Sequence, residues 1–472
     1  MTSQQLQTST TLNPSLRLGR IEIVKSQRLQ VVALFIILSS AVAIRTIHLN
    51  AMGYNSDEAV YAGQGAAIAQ VPILTDIFPI FRAHPLLFQF TLALFFTFGA
   101  NDLLGRLVSV AVGVATVLLV YRLGNRLYGQ RAGFFAALFM ALMPYHVVVT
   151  RQVLLDGPMA FCATLALYML ARFGETERPV WLVAAGAGMG LTFLAKETGI
   201  LMFGSIYAFL ALSPEIRTRI RDIILSTVVM VAIMTPVPLS TRLAGGGGDR
   251  TTGNYLVWQL FRRPNHTWDF YPTEVPPAIG ILVIVAALLG FWLFRGQHGW
   301  REKMLVSWII VPVVFFQLWP TKGFQYLLPI APAVALLAAR TLAHWPDRSV
   351  QFRNWCIPQY APGLLFASII AVSLFFTSWQ RITPAQSDTF LAGSGGIPGG
   401  REMGHWIKAN VPEDSTFLTI GPSMANIVKF YGHEQAFGLS VSPNPLHRNP
   451  SYEPIINPDF KIRAGELQYL VW

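Results

Sequence analysis

The feature that most constrains this chain is an alternation. Apolar runs long enough to enter a membrane recur along it, and arginine clusters separate them. The runs fall at 29–46, 104–121, 132–149, 157–173, 180–195, 199–213, 222–240, 277–294, 304–319, 325–342 and 361–379. A chain that is 53% hydrophobic and only 12% charged over 472 residues is a polytopic membrane protein. The net charge of +11 sits in short clusters between runs, which is a topology signal and not a nucleic-acid footprint. Two cysteines, Cys162 and Cys356, make neither a disulfide framework nor a cysteine metal site.

The segment 1–28 is polar and basic, and no small-residue cleavage site follows the run 29–46. That run is therefore read as a retained first span with a cytoplasmic N-terminus. A further run, 84–100, opens on His84-Pro85 and holds Gln89. If it crossed, fourteen Lys and Arg in five short loops would move outside, among them Arg122, Arg126, Arg131, Arg217 and Arg219. The positive-inside rule rejects that crossing, so 84–100 is expected to lie on or dip into the outer face. Eleven spans remain in 29–379, with a first external loop at 49–103 and a second large one at 242–276.

The same parity gathers charges on one outer face. Asp57 and Glu58 stand together with no lysine or arginine within ten residues. Arg106, Arg151, Asp156, Lys196-Glu197 and Lys322 fall on the same side. Charged groups at a membrane boundary are functional candidates by default. For the acidic doublet the structural alternative is a helix N-terminus capped by Asn55 or Ser56, with the acids favouring the macrodipole. One carboxylate capping and the other serving as a general base satisfies both readings. Arg151 suits an anionic head group, with Asp156 orienting it; an Arg151–Asp156 ion pair is the structural alternative. Lys196 is either a snorkelling residue or a phosphate contact. Lys322 and Tyr326, at i and i+4, share a face if their helix has begun. Arg262, Arg263, His266 and Tyr271 give the second loop a basic, amphipathic character. A divalent metal between Asp57 or Glu58 and His84 or His266 stays open, without support from spacing. The Gly-rich stretch 241–253 lacks the lysine of a phosphate loop and reads as a plain loop.

The segment 380–472 changes character. A Gly-rich linker at 391–400 precedes an expected helix at 401–411, a strand at 415–421, a helix at 422–432 and a strand at 467–472. This is a small α/β domain, with the chain stopping inside its last strand, as a partial chain would. No site is expected in this tail, and 444–458 reads as a proline-rich surface loop.

Six segments in order resemble the membrane glycosyltransferases of the GT-C fold, in particular the protein O-mannosyltransferases and lipid A aminoarabinose transferases. They are "SDEAVYA", "AHPLLFQF", "RLVSVAVGVATVLLVYRLGNRLYG", "TRQVLLDGPMAF", "LAKETG" and "KGFQYLLPIAP"; "RRPNHTWDFYPTEVPP" is similar to the family's His-containing external loop. The resemblance covers 29 to about 345. It implies inverting transfer of a sugar from a polyprenyl-phosphate donor to a hydroxyl of a protein, lipid or glycan outside the cytoplasm. It implies Asp57 as base, Glu58 and Asp156 as supports, Arg106, Arg151, Lys196 and Lys322 around the lipid phosphate, and Tyr326 lining the donor site. Leu86 stands where the His-Pro-Pro segment has its second proline, and Ala83-His84 where aminoarabinose transferases have Glu-Lys. The rival class is a transporter or flippase of an anionic lipid-linked substrate. Such proteins usually carry internal repeats and mid-depth charges, and the sequence shows neither.

Overall fold

The computed structural model describes residues 14–80, 84–243, 259, 262–345, 351–352, 355–356, 361–383, 397–444, 448–449 and 452–471. Helix α1 (Pro14–Thr46) is followed by the first external loop, which carries α2 (Ser56–Ile68), α3 (Leu74–Ile77) and α4 (Leu87–Phe96). Then come α5 (Asp102–Tyr128), α6 (Gln130–Leu142), α7 (Pro144–Val149), α8 (Asp156–Thr176) and α9 (Pro179–Ala195). Further helices run Met202–Leu212, Ile220–Met234, Pro236–Leu243, Phe270–Ile279, Ile281–Leu293, Trp300–Leu318, Ala331–Ala343 and Ala361–Ile382.

Local sequence sets the breaks. Asn101 caps α5 by accepting from the Leu104 amide. Gly129, at φ +86°, separates α5 from α6 in a conformation that glycine adopts without strain. Pro144 and Pro179 each open a helix in its first turn, where a missing N–H costs nothing. Gly280, at φ +101°, turns the chain by 91° between Phe270–Ile279 and Ile281–Leu293. Small residues let helices approach. A Cβ on Gly124 would stand 2.9 Å from the Gly133 backbone, and one on Gly186 2.3 Å from the Ser226 carbonyl.

Among the described residues, six helical segments are long and apolar enough to cross a membrane, and the bent pair makes a seventh candidate. The other expected runs fall on the shorter α6, α9 and Glu197–Leu212, and on Trp300–Leu318, which opens with Arg301, Glu302 and Lys303. Length and composition thus support membrane embedding but not a count of eleven. The expected helix in 84–100 is only ten residues, Leu87–Phe96. At 1.5 Å per residue it is about half of a bilayer core. Its Phe90 and Leu94 are exposed, while Gln89 is buried and donates to Gln64 Oε1 at 3.1 Å. The polar residue that makes this run ambiguous is there to hold α4 against α2.

The tail forms a three-stranded parallel sheet in the order Gln435–Gly438, Thr416–Thr419, Tyr469–Val471. Helix Gly400–Asn410 precedes the central strand, and Pro422–Ile427 with a π turn at Val428–Gly432 follows it. The strand Gln435–Gly438 escapes the sequence reading, because it is only four residues long and only two residues separate it from the preceding turn. The π turn carries Phe430 and Tyr431 onto Tyr54 of the first external loop, with the Phe430 ring centroid 5.0 Å from that of Tyr54. Most of the linker 391–400 and of the Gly-rich stretch 241–253 lies outside the described residues.

Candidate active site

Helix α2 carries the acidic doublet and separates its members. Asn55 is the N-cap, so Glu58 is the third helical residue. A reciprocal capping box forms: the Glu58 amide donates to Asn55 Oδ1, and the Asn55 amide donates to Glu58 Oε2, both at 3.0 Å. Glu58 is fully buried. It also accepts from Arg106 Nε at 2.9 Å, from Arg106 Nη2 at 2.7 Å and from the Val153 amide at 3.0 Å. Asp57 points elsewhere, into a cleft lined by Val60, Tyr61 and Gln64 of its own helix. Positions 57, 60, 61 and 64 make one helical face, so the cleft wall follows from helical periodicity.

The far side of that cleft comes from distant segments: His84, Lys196, Glu197, Thr198, Gln259, Trp319, Gln325 and Tyr326. Lys196 is the last residue before the chain turns out of α9. Its Nζ donates to both oxygens of Asp156 at 2.8 Å and sits 4.9 Å from the centroid of the Tyr326 ring. His84 Nδ1 donates to Glu197 Oε2 at 2.9 Å. Glu197 is buried, and its Oε1 has no hydrogen-bond partner among the described residues. Burial raises the pKa of Asp57; Lys196 and then His84 oppose the rise, while Asp156 and Glu58 add to it. Asp57 is therefore a half-buried carboxyl more basic than an ordinary one, in a cleft that also holds a fixed ammonium.

Other expected site residues stand apart. Arg106 was expected near the donor phosphate, but its five N–H groups are taken. Beyond Glu58 they reach the carbonyls of Leu49 (2.9 Å), Met52 (2.6 Å) and Gly53 (2.9 Å). It staples the first external loop to α5. Arg151 does not line the cleft; it donates to the Ile44 carbonyl at 3.0 Å, and no Arg151–Asp156 pair forms because Lys196 holds Asp156. Lys322 and Tyr326 do not share a helical face. Pro320 and Gly323 keep the backbone irregular, and only a 3-10 turn, Phe324–Ile330, follows Lys322. The Lys322 ammonium lies 5.7 Å from the Trp268 ring centroid. The second loop grips this turn: Asn265 Oδ1 accepts from the Lys322 amide at 2.8 Å, and the Tyr271 hydroxyl accepts from the Gly323 amide at 3.2 Å. Arg262 acts electrostatically on Tyr326, whereas Arg263 and His266 are exposed, His266 stacked on Phe270.

Two cleft residues overturn the expectation of a tail without a site. Asn449 and Tyr452, from the proline-rich stretch, line the cleft with Asp57. Glu197 and Gln64 were also missing from the expected site. The Lys196-Glu197 doublet and the 57-61-64 spacing are the signals that carry them. Among the described residues no cluster of three His, Cys, Asp or Glu side chains could hold a metal ion. In the structure His84 is paired with Glu197, and Asp156 with Lys196.

The fold has solved counterparts. ArnT from Cupriavidus metallidurans in the apo state superposes with a TM-score of 0.69 at 15% identity, covering 91% of this chain and 90% of that one. The same protein bound to undecaprenyl phosphate gives 0.68 at 16% identity, covering 87% and 86%. The archaeal oligosaccharyltransferase AglB from Archaeoglobus fulgidus gives 0.57 at 15%, covering 87% and 64%. The fold is GT-C. Residues 83–240 match the family model for dolichyl-phosphate-mannose-protein mannosyltransferase. Lipid A galacturonosyltransferase RgtD from Rhizobium johnstonii is 25% identical over 281 residues, covering 58% of this chain and 52% of RgtD. The undecaprenyl phosphate-alpha-4-amino-4-deoxy-L-arabinose arabinosyl transferase of Serratia proteamaculans is 26% identical over 264 residues, covering 51% and 46%. The chain spans about half the length of these curated relatives. Over residues 83–240 the chain is similar to that family, and its fold is shared with ArnT and AglB.

Proposed function

We propose that the chain transfers a sugar, with inversion, from a polyprenyl-phosphate donor to an acceptor hydroxyl at the extracytoplasmic membrane face. The observation that carries this reading is the shared cleft of Asp57 and Lys196. Asp57 takes the proton of the attacking hydroxyl as the new glycosidic bond forms. The bond from the anomeric carbon to the phosphate oxygen breaks, and its electron pair leaves with the polyprenyl phosphate. The transition state is oxocarbenium-like, and charge grows on the leaving phosphate. Lys196 sits where such charge is stabilised. Asp156 holds its ammonium, and the Tyr326 ring lies beside it. His84, anchored by Glu197, adds a second nitrogen group to the same wall. Arg262 acts on the Tyr326 side, while the Lys322 ammonium lies beside Trp268. Arg106 and Glu58 shape the loop that carries Asp57, and Arg151 lies behind them.

The polyprenyl-phosphate donor is supported by the solved complex of ArnT with undecaprenyl phosphate. The topology of eleven crossings, a cytoplasmic N-terminus and the division at 28 and 379 are parts of the same proposal. They rest on the arginine distribution, and cysteine labelling at positions 90 and 125 tests them: reactivity of 125 from outside overturns this topology. The activity is tested by supplying purified full-length protein with undecaprenyl-phosphate-linked mannose, aminoarabinose and galacturonic acid, each labelled, and a membrane fraction as acceptor source. Label must move from the donor to acceptor material. No movement from any donor counts against the reading.

A further inference from the structure

The membrane face opposite the Asp57 cleft holds a pocket of its own. Helix α5 starts at the first external loop, where Arg106 pairs with Glu58, and ends at Tyr128. At 1.5 Å per residue, about 33 Å separates Arg106 from Tyr128, close to the thickness of a bilayer's apolar core. Around Tyr128 lies a pocket of about 350 Å³, lined also by Phe294, Trp300, Arg301, Arg340 and His344. These residues sit at the ends of four helices: α5, Ile281–Leu293, Trp300–Leu318 and Ala331–Ala343.

The charge of this pocket is unbalanced. Among the described residues, its lining sets the guanidinium groups of Arg301 and Arg340 against a single carboxylate, Glu302. That carboxylate is shared by three donors. The Tyr128 hydroxyl donates to Oε1 and the Gly299 amide to Oε2, both at 2.8 Å, and Arg340 Nη1 stands 3.2 Å from Oε1. Arg340 is only 8% exposed, and its guanidinium carbon lies 4.8 Å from the Phe294 ring centroid and 5.4 Å from that of Tyr128. Its Nε and Nη2 hydrogens meet no acceptor among the described residues. A nearly buried guanidinium with unused donors is costly unless an anion completes it. Its planar fork matches two oxygens of a phosphate.

The surroundings favour a lipid over a free phosphate. Leu288 and Trp292, at i and i+4, are 65% and 60% exposed on an apolar helix that ends beside Phe294. Such a stripe suits acyl chains. Trp292 and Trp300 stand where indoles anchor at headgroup level, and the Arg295 guanidinium carbon lies 5.7 Å from the Trp292 ring centroid. Basic pockets between spanning helices bind anionic headgroups. We infer that this pocket holds the phosphodiester of an anionic phospholipid. Arg340 grips the phosphate, Arg301 flanks it at the rim, and the acyl chains lie along Leu288 and Trp292. The lipid then ties α5 to two helices that reach the cleft at their other ends. Trp300–Leu318 leads to Trp319, and Ala331–Ala343 follows the turn that bears Tyr326. Its effect is on the stability of this helix packing and not on the chemistry.

This inference stands apart from the transfer reaction, and its test uses neither donor nor turnover. Full-length protein is equilibrated in detergent micelles with equal amounts of phosphatidylglycerol and phosphatidylcholine, and native mass spectrometry reads which lipid stays bound. Thermal unfolding is followed in parallel with each lipid and with inorganic phosphate. Wild type should retain phosphatidylglycerol about tenfold over phosphatidylcholine, and only the former should raise its Tm. Arg340→Gln should abolish both the preference and the rise in Tm, and Arg301→Gln should weaken them. Equal retention of the two lipids by wild type, or a preference that survives both substitutions, overturns the inference. Stabilisation by inorganic phosphate with no lipid retained assigns the pocket to a free anion and overturns it as well. If Arg340→Gln does not fold, the lipid pair on wild type and the Arg301→Gln protein decide.

Discussion

Asn426, in the tail, donates through Nδ2 to the hydroxyl of Ser56 at 2.9 Å, one residue before Asp57 and 370 residues away in sequence. The Tyr54 amide donates to the Tyr431 hydroxyl at 2.7 Å, and that hydroxyl donates to Asp102 at 3.1 Å. Arg401 closes the same contact by donating to Asp102 at 2.9 Å. The tail thus fixes the start of the helix that bears Asp57, the proposed base. Asn426→Ala should lower kcat about tenfold, because small misplacement of a base is costly, while donor affinity stays constant. Steady-state transfer with donor binding measured in parallel checks this.

The raised pKa of Asp57 has a kinetic consequence. The base works only when deprotonated, so activity rises as pH rises through its pKa. The acidic limb of kcat/KM should lie above the ordinary carboxylate value of about 4. Lys196 pulls that pKa down, so Lys196→Met should move the limb to higher pH as well as lower the rate. A pH–rate profile of both proteins measures this, and an unmoved limb in the variant separates Lys196 from Asp57.

Glu58→Gln should act on stability before it acts on the reaction. It leaves the buried Arg106 guanidinium without its counter-charge. Breaking a buried pair in this way costs about 3–5 kcal/mol. Thermal unfolding followed in detergent should show a clear loss, and the donor KM of the surviving protein should stay near that of wild type. A large donor KM change at full stability would return Arg106 to the phosphate site.

Asp156→Asn keeps the length of the side chain and removes the charge that holds Lys196. Transfer should fall by one to two orders of magnitude, about 1.4–3 kcal/mol of transition-state stabilisation. The loss should appear in kcat more than in KM if the fixed ammonium acts on the departing phosphate. Single-turnover kinetics separate the two.

Much of this site is legible from local chemistry. The Asn55-x-x-Glu58 capping pattern assigns Glu58 to the helix and leaves Asp57 for the cleft. Parity along the chain gathers Lys196 and Asp156 on the side of Asp57. What the sequence does not carry is which like-charged groups share a partner. Arg106 and Lys196 both sit near a span end, yet one is consumed by carbonyls and Glu58 and the other faces the cleft. That difference arises from the packing of α5 against residues 49–53. The condition for Lys322 and Tyr326 to share a face fails, because regular spacing implies a face only inside a regular helix and the segment after Lys322 is a 3-10 turn. The contribution of Tyr452 depends on a tail docking more than 370 residues from α2, which no local pattern encodes.

The central claim is that Asp57 is the base of a transfer reaction in this cleft. Single-turnover transfer from a labelled undecaprenyl-phosphate sugar tests it most directly, with wild type and Asp57→Asn side by side and undecaprenyl phosphate binding measured for each. The expected result is unchanged binding and a loss of turnover of about 10²–10⁴-fold. Equal turnover in the two proteins would contradict it.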